Sequence, residues 1–575
     1  MMTFRSSSRS LAALALRAAM SAPVVTLAVT AVASAGLVAC DDENDPKTWV
    51  KRLDDPVQRA GAIKRLTQFF EDDLAKANKN RDDATVKSLL NDIVDPMTKQ
   101  YTAGGLDEKT RKDLIKFLAD TRDPRIGPAL AKAFNEYEPG KNEEDVKYAA
   151  QAVKGLVDAK KLTDQTVKDA LWNCFDKFQV SKTKMFELVK ALHDAVQAVS
   201  DPSYGPKAVA KLAANVDPKN VDSVRDQLQF WQLTSVQVIG ELKYTAGVKP
   251  LVLVLLTPAK ADLRATVNTA LLRMAKDAEP ALIAALNGSD PDFVKAEGAW
   301  DQNKAYMAIL ADELATISRP AGRDAVLGAL AAADNDANRT LLAQSLVKFP
   351  ADPRLIPAFL AAYKKVPNDT SIDMMGGANA HGILVQAASQ FFDPTLTDWL
   401  VAQIAAAKGD EADAMQLLAL KSAIRLMQPA QKAEVQASVN KEGTPTEKDE
   451  FTRAAAALDK CNTDANCYVG MLDQPIASTP PSATMTATKA AWMAAIYGNA
   501  ATKSALAGKV DKIKNGAARF DAVTAIDHLA PQGDTTVAGQ LETVVSSDAA
   551  SGNKELLMSD DVVAKVAMRL RSRAQ

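Results

Sequence analysis

Histidine, cysteine and aromatic side chains are scarce in this 575-residue chain. There are three histidines, four cysteines, and an aromatic content of 5%. The histidines His193, His381 and His528 are far apart, so no His-Glu-x-x-His zinc helix can exist. The sequence also lacks a Gly-x-Ser-x-Gly elbow, a Walker A loop, a Gly-x-Gly-x-x-Gly turn and an EF-hand loop. No catalytic, cofactor-binding or metal-ligating set is expected, and no cofactor. An excess of positive charge is absent too. Lys+Arg at 69 against Asp+Glu at 71 leaves a formal net charge of −2, which argues against nucleic acid as a partner. Few aromatics argue against a β-sandwich or barrel. Beyond Val38 no run approaches the ~18 apolar residues that a membrane span requires.

Alanine is what the chain has in abundance, 103 residues of 575. Alanine favours helices, and its small side chain lets helices approach closely. A unit of about 40 residues recurs, with a helix, a turn and a second helix. Asp123-Pro124-Arg125-Ile126-Gly127-Pro128-Ala129 is echoed by Asp352-Pro353-Arg354-Leu355-Ile356-Pro357-Ala358 and, more loosely, by Asp201-Pro202-Ser203-Tyr204-Gly205-Pro206. Pro128, Pro206, Pro250, Pro320 and Pro357 stand 78, 44, 70 and 37 residues apart, multiples of roughly one or two units. The aspartate is placed to cap, and the second proline to lie in the first helical turn. Second helices with one apolar stripe are read at Pro56–Leu66, Arg264–Leu272 and Arg519–Leu529.

These starts and stripes, with Val238-Ile239-Gly240-Glu241-Leu242 leading to Gly247-Val248-Lys249-Pro250, resemble HEAT repeats. The resemblance implies an all-α fold, an α-solenoid of stacked antiparallel helix pairs, and a role as scaffold or adaptor. Residues 71–110, 141–200 and 366–382 fit the pattern poorly. Pro367–Asn379 and Gly443–Thr446 are expected as loops. The array is read over 47–473, a Pro/Ser/Thr-rich surface connection over 474–488, and further helical repeats over 489–575, contiguous with the array.

Residues 1–39 contain Arg5, Arg9 and Arg17, no acidic residue, and an apolar run from Ala18 to Ala39. This is the pattern of a cleavable secretory signal. Leu37-Val38-Ala39-Cys40 resembles a bacterial lipobox, which implies lipidation of Cys40 as the first mature residue. Residues 40–46 then form a short tether to a membrane of the bacterial cell envelope. Asp45-Pro46 reads as a cap and first turn of the first helix.

Export permits disulfides. Cys461 and Cys467 lie too far apart for a disulfide if one straight helix holds both. They can pair if the helix ends between them, as Asn462, Thr463, Asp464 and Asn466 favour. Cys174 reads as a buried, inert thiol. His381 reads as a solvated loop residue or one at a partner surface, and His528 as a surface-edge residue. The six tryptophans read as packing between repeats. Three functions follow as expectations. The first is a non-enzymatic, lipid-anchored envelope scaffold for a protein or peptide partner. The second is an enzyme or enzyme subunit of lyase type, with titratable groups converging around His381, His193 or Cys174. The third is an assembly factor of an envelope machine.

Overall fold

A computed structural model describes residues 42–213, 222–300, 305–407, 412–472, 481–551 and 556–575. The described chain is helical throughout, apart from one small hairpin. Local signals set the helix starts. Asp45 accepts from the Lys47 amide and opens Pro46–Arg52. Asp123, Asp201 and Asp352 each accept the amide two residues on. The five spaced prolines all fall in the first turn of a helix, in Gly127–Asn135, Tyr204–Leu212, Val248–Leu255, Pro320–Ala331 and Leu355–Lys365. There the missing N–H costs no helical bond.

Most helices pack in two rows, against a hairpin partner and against the next helix of the same row. This is the α-solenoid. One helix pair leaves its apolar stripe bare, and stacking covers it. Close approach demands small residues at some contacts. A Cβ on Gly240 would meet the Cβ of Ala270 at 2.9 Å, so helix Asp222–Leu242 lies directly against Arg264–Arg273. Of the stretches that matched the repeat pattern poorly, 71–110 and 141–200 belong to the same rows, in helices Arg59–Lys76, Ala84–Ala103, Glu143–Asp158 and Gln165–Lys177.

The rows do not remain open along their whole length. In the inner row, Arg264–Arg273 is followed by Tyr306–Ile317, Asp336–Ser345, Ala380–Ala388 and Ala412–Leu426. Pro481–Tyr497, Gly516–His528 and Leu557–Arg573 complete it. The last of these packs back on Arg264–Arg273 and Tyr306–Ile317. The described residues of 264–573 therefore form a closed ring, and those of 46–242 form an open arm.

Two expectations change. The segment expected as a loop at 367–379 is a short antiparallel hairpin, Ser371–Ile372 with Ala378–Asn379, turned at Gly376 and Gly377 with φ of 68° and 81°. The expected surface connection 474–488 lies outside the described residues over 474–480, but from Pro481 it is helix. Thr488 and Lys489 are buried in that helix. The Thr488 hydroxyl donates to Asp521 at 2.7 Å, and the Lys489 ammonium donates to the carbonyls of Ile424, Arg425 and Met427. A cation on the last carbonyls of a helix is favoured by the helix dipole.

Candidate functional site

At the closure of the ring, groups more than two hundred residues apart meet. Arg319 Nη1 donates to the Ser572 carbonyl at 2.7 Å, while its Nε donates to Glu279 at 2.9 Å. Arg569 Nη2 donates to the Lys348 carbonyl at 2.6 Å. Arg573 donates to the Ser318 hydroxyl at 3.4 Å. Asp527 takes an ion pair from Arg569 at 2.8 Å and another from Arg573. Ser318 and Lys348 lie where helices of the inner row end, so the joint uses cations on helix C-termini.

Aromatic rings complete the joint. Phe392 stacks on Trp492 with centroids 4.6 Å apart and on His528 at the same distance. Phe392 reaches this position with φ of 54°, the left-handed region that bulky residues avoid. Its packing on two rings offsets that strain. A neighbouring group has no such partner. Glu313 is fully buried in Tyr306–Ile317, and neither carboxylate oxygen has a hydrogen-bond partner. Burial pushes its pKa well above the usual carboxylate range, while Lys348 and Lys565 oppose that shift.

A cavity of about 270 Å³ opens along this joint. Its apolar wall includes Phe349, Phe392, Phe520, Val562 and Val566. Its polar groups include Lys348, Asp527, His528, Lys565, Arg569 and Arg573. The arrangement joins an apolar floor to several cations, but the arginines are already engaged by Asp527 and by carbonyls. His528 has its pKa lowered to about 4 by burial, so it is neutral at physiological pH. The joint is built to hold two parts of the chain together and to accept apolar surface.

The residues singled out in the sequence are dispersed. Cys40 lies outside the described residues. The Cys461 and Cys467 sulfurs stand at bonding distance, with Cα atoms 5.4 Å apart. The preceding helix ends at Cys461, Asn462 turns with φ of 47°, and Asp464 caps the next helix. Cys174 is buried, and desolvation pushes its thiol up to about 12. His193 Nδ1 lies 2.8 Å from the Thr234 hydroxyl. The structure corrects one histidine reading. His381 is buried, stacked on Tyr363 at 4.0 Å, with Nε2 2.8 Å from the Val366 carbonyl. Its flanking glycine-rich segment pairs as a hairpin and carries the ring inward. His528 is half-buried at the seam, where it stacks on Phe392 and lines the cavity. Trp172 and Trp492 are fully packed and the other four tryptophans are half-buried. The seam cluster was not found in the sequence. Its one signal there was Arg519, Asp527 and His528 within Arg519–Leu529, a segment read for its apolar stripe.

No family model matches the sequence, and no curated protein is similar to it. Among solved structures the chain is similar to importin beta crystallised in an ammonium sulfate condition. The identity is 8%, over 92% of this chain and 69% of that chain, with a TM-score of 0.24. That score carries no argument, and the α-solenoid rests on the packing described above. Among the described residues no helix is long and apolar enough to cross a membrane, and no group of three metal-ligating side chains is found.

Proposed function

We propose that this protein is a non-enzymatic, lipid-anchored lipoprotein of the bacterial cell envelope that serves as a protein-interaction scaffold. The observation that carries the scaffold reading is the ring and arm themselves. Stacked helices give a long continuous surface, and Asp527 and the arginines of the seam are spent on joining its ends. Such an array suits the display of surface to a protein or peptide partner. The anchor reading rests on Leu37-Val38-Ala39-Cys40 and on the short path from Cys40 to the first helix. Five residues reach at most ~17 Å. The path is shortened further where the Trp49 indole donates to the Glu43 carbonyl at 2.9 Å and Arg52 approaches Glu43 at 3.6 Å. The folded body is therefore held against its membrane. Several acyl chains make that hold firm, at ~0.8 kcal/mol per buried CH₂.

Two experiments test this. In-cell crosslinking followed by mass spectrometry is expected to join lysines of the array reproducibly to one protein partner. Turnover of a small molecule by the purified protein, with no partner captured, overturns the scaffold. Metabolic labelling with a fatty acid is expected to mark the protein and to be lost in Cys40→Ser. Label that persists in Cys40→Ser, or never appears, overturns the anchor.

A further inference from the structure

We propose that the cavity at the ring seam binds an amphipathic anion, a single acyl-type chain carrying a terminal carboxylate. The inference stands apart from the anchor and scaffold readings, because it uses only the residues around the cavity. At about 270 Å³ the cavity suits one chain or one ring system and is too small for a dinucleotide. Its apolar wall carries Phe520, which remains 44% exposed although it sits on a helix of the inner row. A ring left open to solvent beside Val562 and Val566 is apolar surface that a chain would cover.

The charge at the cavity selects the head group. Lys348 and Lys565 come from opposite sides of the seam and both reach the cavity. Each is paired only with a half-exposed carboxylate, Lys348 with Asp312 and Lys565 with Asp561. Such surface pairs are weak and readily exchanged for a better-placed anion. Asp527, the acidic residue of the lining, is held by Arg569 and Arg573 and so presents little free negative charge. The carbonyls of Lys348 and Asp527 are also covered, by Arg569 and Arg573. Glu313, beneath, is driven by burial toward its neutral form and leaves the two lysines uncancelled. A ligand lying here touches residues 347–350 on one side and helices Gly516–His528 and Leu557–Arg573 on the other. It would therefore bridge the seam.

The test is titration calorimetry of the full mature chain with decanoate and with decyltrimethylammonium. One decanoate is expected per chain, with the cation bound at least about tenfold more weakly. Phe520→Ser and Lys565→Glu are each expected to weaken decanoate about tenfold or more. Both positions are partly exposed, so unchanged thermal unfolding can verify that the fold survives, and Lys348→Gln gives an independent third variant. Bound decanoate is also expected to slow amide exchange in 557–573. Equal binding of both amphiphiles, or decanoate binding untouched by all three variants, overturns the proposal.

Discussion

The arm and the ring are made of the same repeating unit but are held together differently. In the arm, contacts stay between neighbours. Trp231 donates to the Phe175 carbonyl across 56 residues, and the rings of Trp172, Phe175, Tyr204, Phe178 and Phe230 pack in one cluster. The arm's buried Asp145 is served by Tyr101 and Arg111 from adjacent layers. In the ring, decisive contacts span 221, 253 and 255 residues and are made by cations. The arm behaves as a stack whose stability is a sum over neighbours. The ring adds joints that exist only once its last helix has docked. The same repeat chemistry thus yields an extendable rod or a closed body, according to whether the last helices bring the right charges.

The difference can be broken most sharply at Arg519. Its side chain is fully buried and pairs with Asp548 at 2.6 Å and Asp560 at 2.9 Å, tying together the last three helices. Arg519→Leu strands two buried carboxylates and is expected to cost about 3–5 kcal/mol. Denaturant unfolding should register the loss, with faster amide exchange across 516–573 and no change in the arm. The converse is Phe175→Ala, which empties a fully buried site in the arm at an expected cost of about 3–4 kcal/mol. Exchange should quicken in 127–242 while the ring keeps its protection.

A third test uses pH. His528 titrates near its ordinary 6.5 when unfolded but is lowered to about 4 in the ring. The unfolded chain therefore binds the proton first as pH falls. The stability from neutral, half-buried His528 is full above 6.5 and is lost as pH falls towards 4, by up to about 3 kcal/mol. His528→Phe should flatten the fall in unfolding temperature between pH 7 and pH 4.

Glu313 has the opposite sign. Its raised pKa means that the folded chain keeps a proton above 4.5, where the unfolded chain has released it. Its stability is full below 4.5 and is lost as pH rises through the elevated value. Glu313→Leu removes the unpartnered carboxyl and is expected to stabilise the ring by about 1–3 kcal/mol at neutral pH. The smallest effect is expected at the exposed pair Arg225–Asp262 of the arm, 2.8 Å apart. Arg225→Ala should shift stability by less than about 1 kcal/mol in a thermal melt. A larger loss would mean that the arm too depends on charge.

The helical repeat was legible because its signals are local. An aspartate cap, a proline in the first turn and alanine on one stripe act within a few residues, so Asp123-Pro124 and Asp352-Pro353 announce their helices without reference to the rest of the chain. The burial of Cys174 and the turn between Cys461 and Cys467 were legible for the same reason. The burial of His381 and the start of the helix at Pro481 were not, because each depends on which distant element covers it.

The amino-acid order by itself determined that this chain would be a stack of small-residue helix pairs, since capping, helical propensity and apolar period are properties of neighbouring residues. Only the tertiary structure decided that the stack closes on itself from 264 to 573. Closure brings Asp527 and His528, on a helix read only for its apolar stripe, into a joint between distant parts of the chain. It depends on where curvature accumulated over many repeats delivers Arg569 and Arg573, and no local pattern encodes that sum.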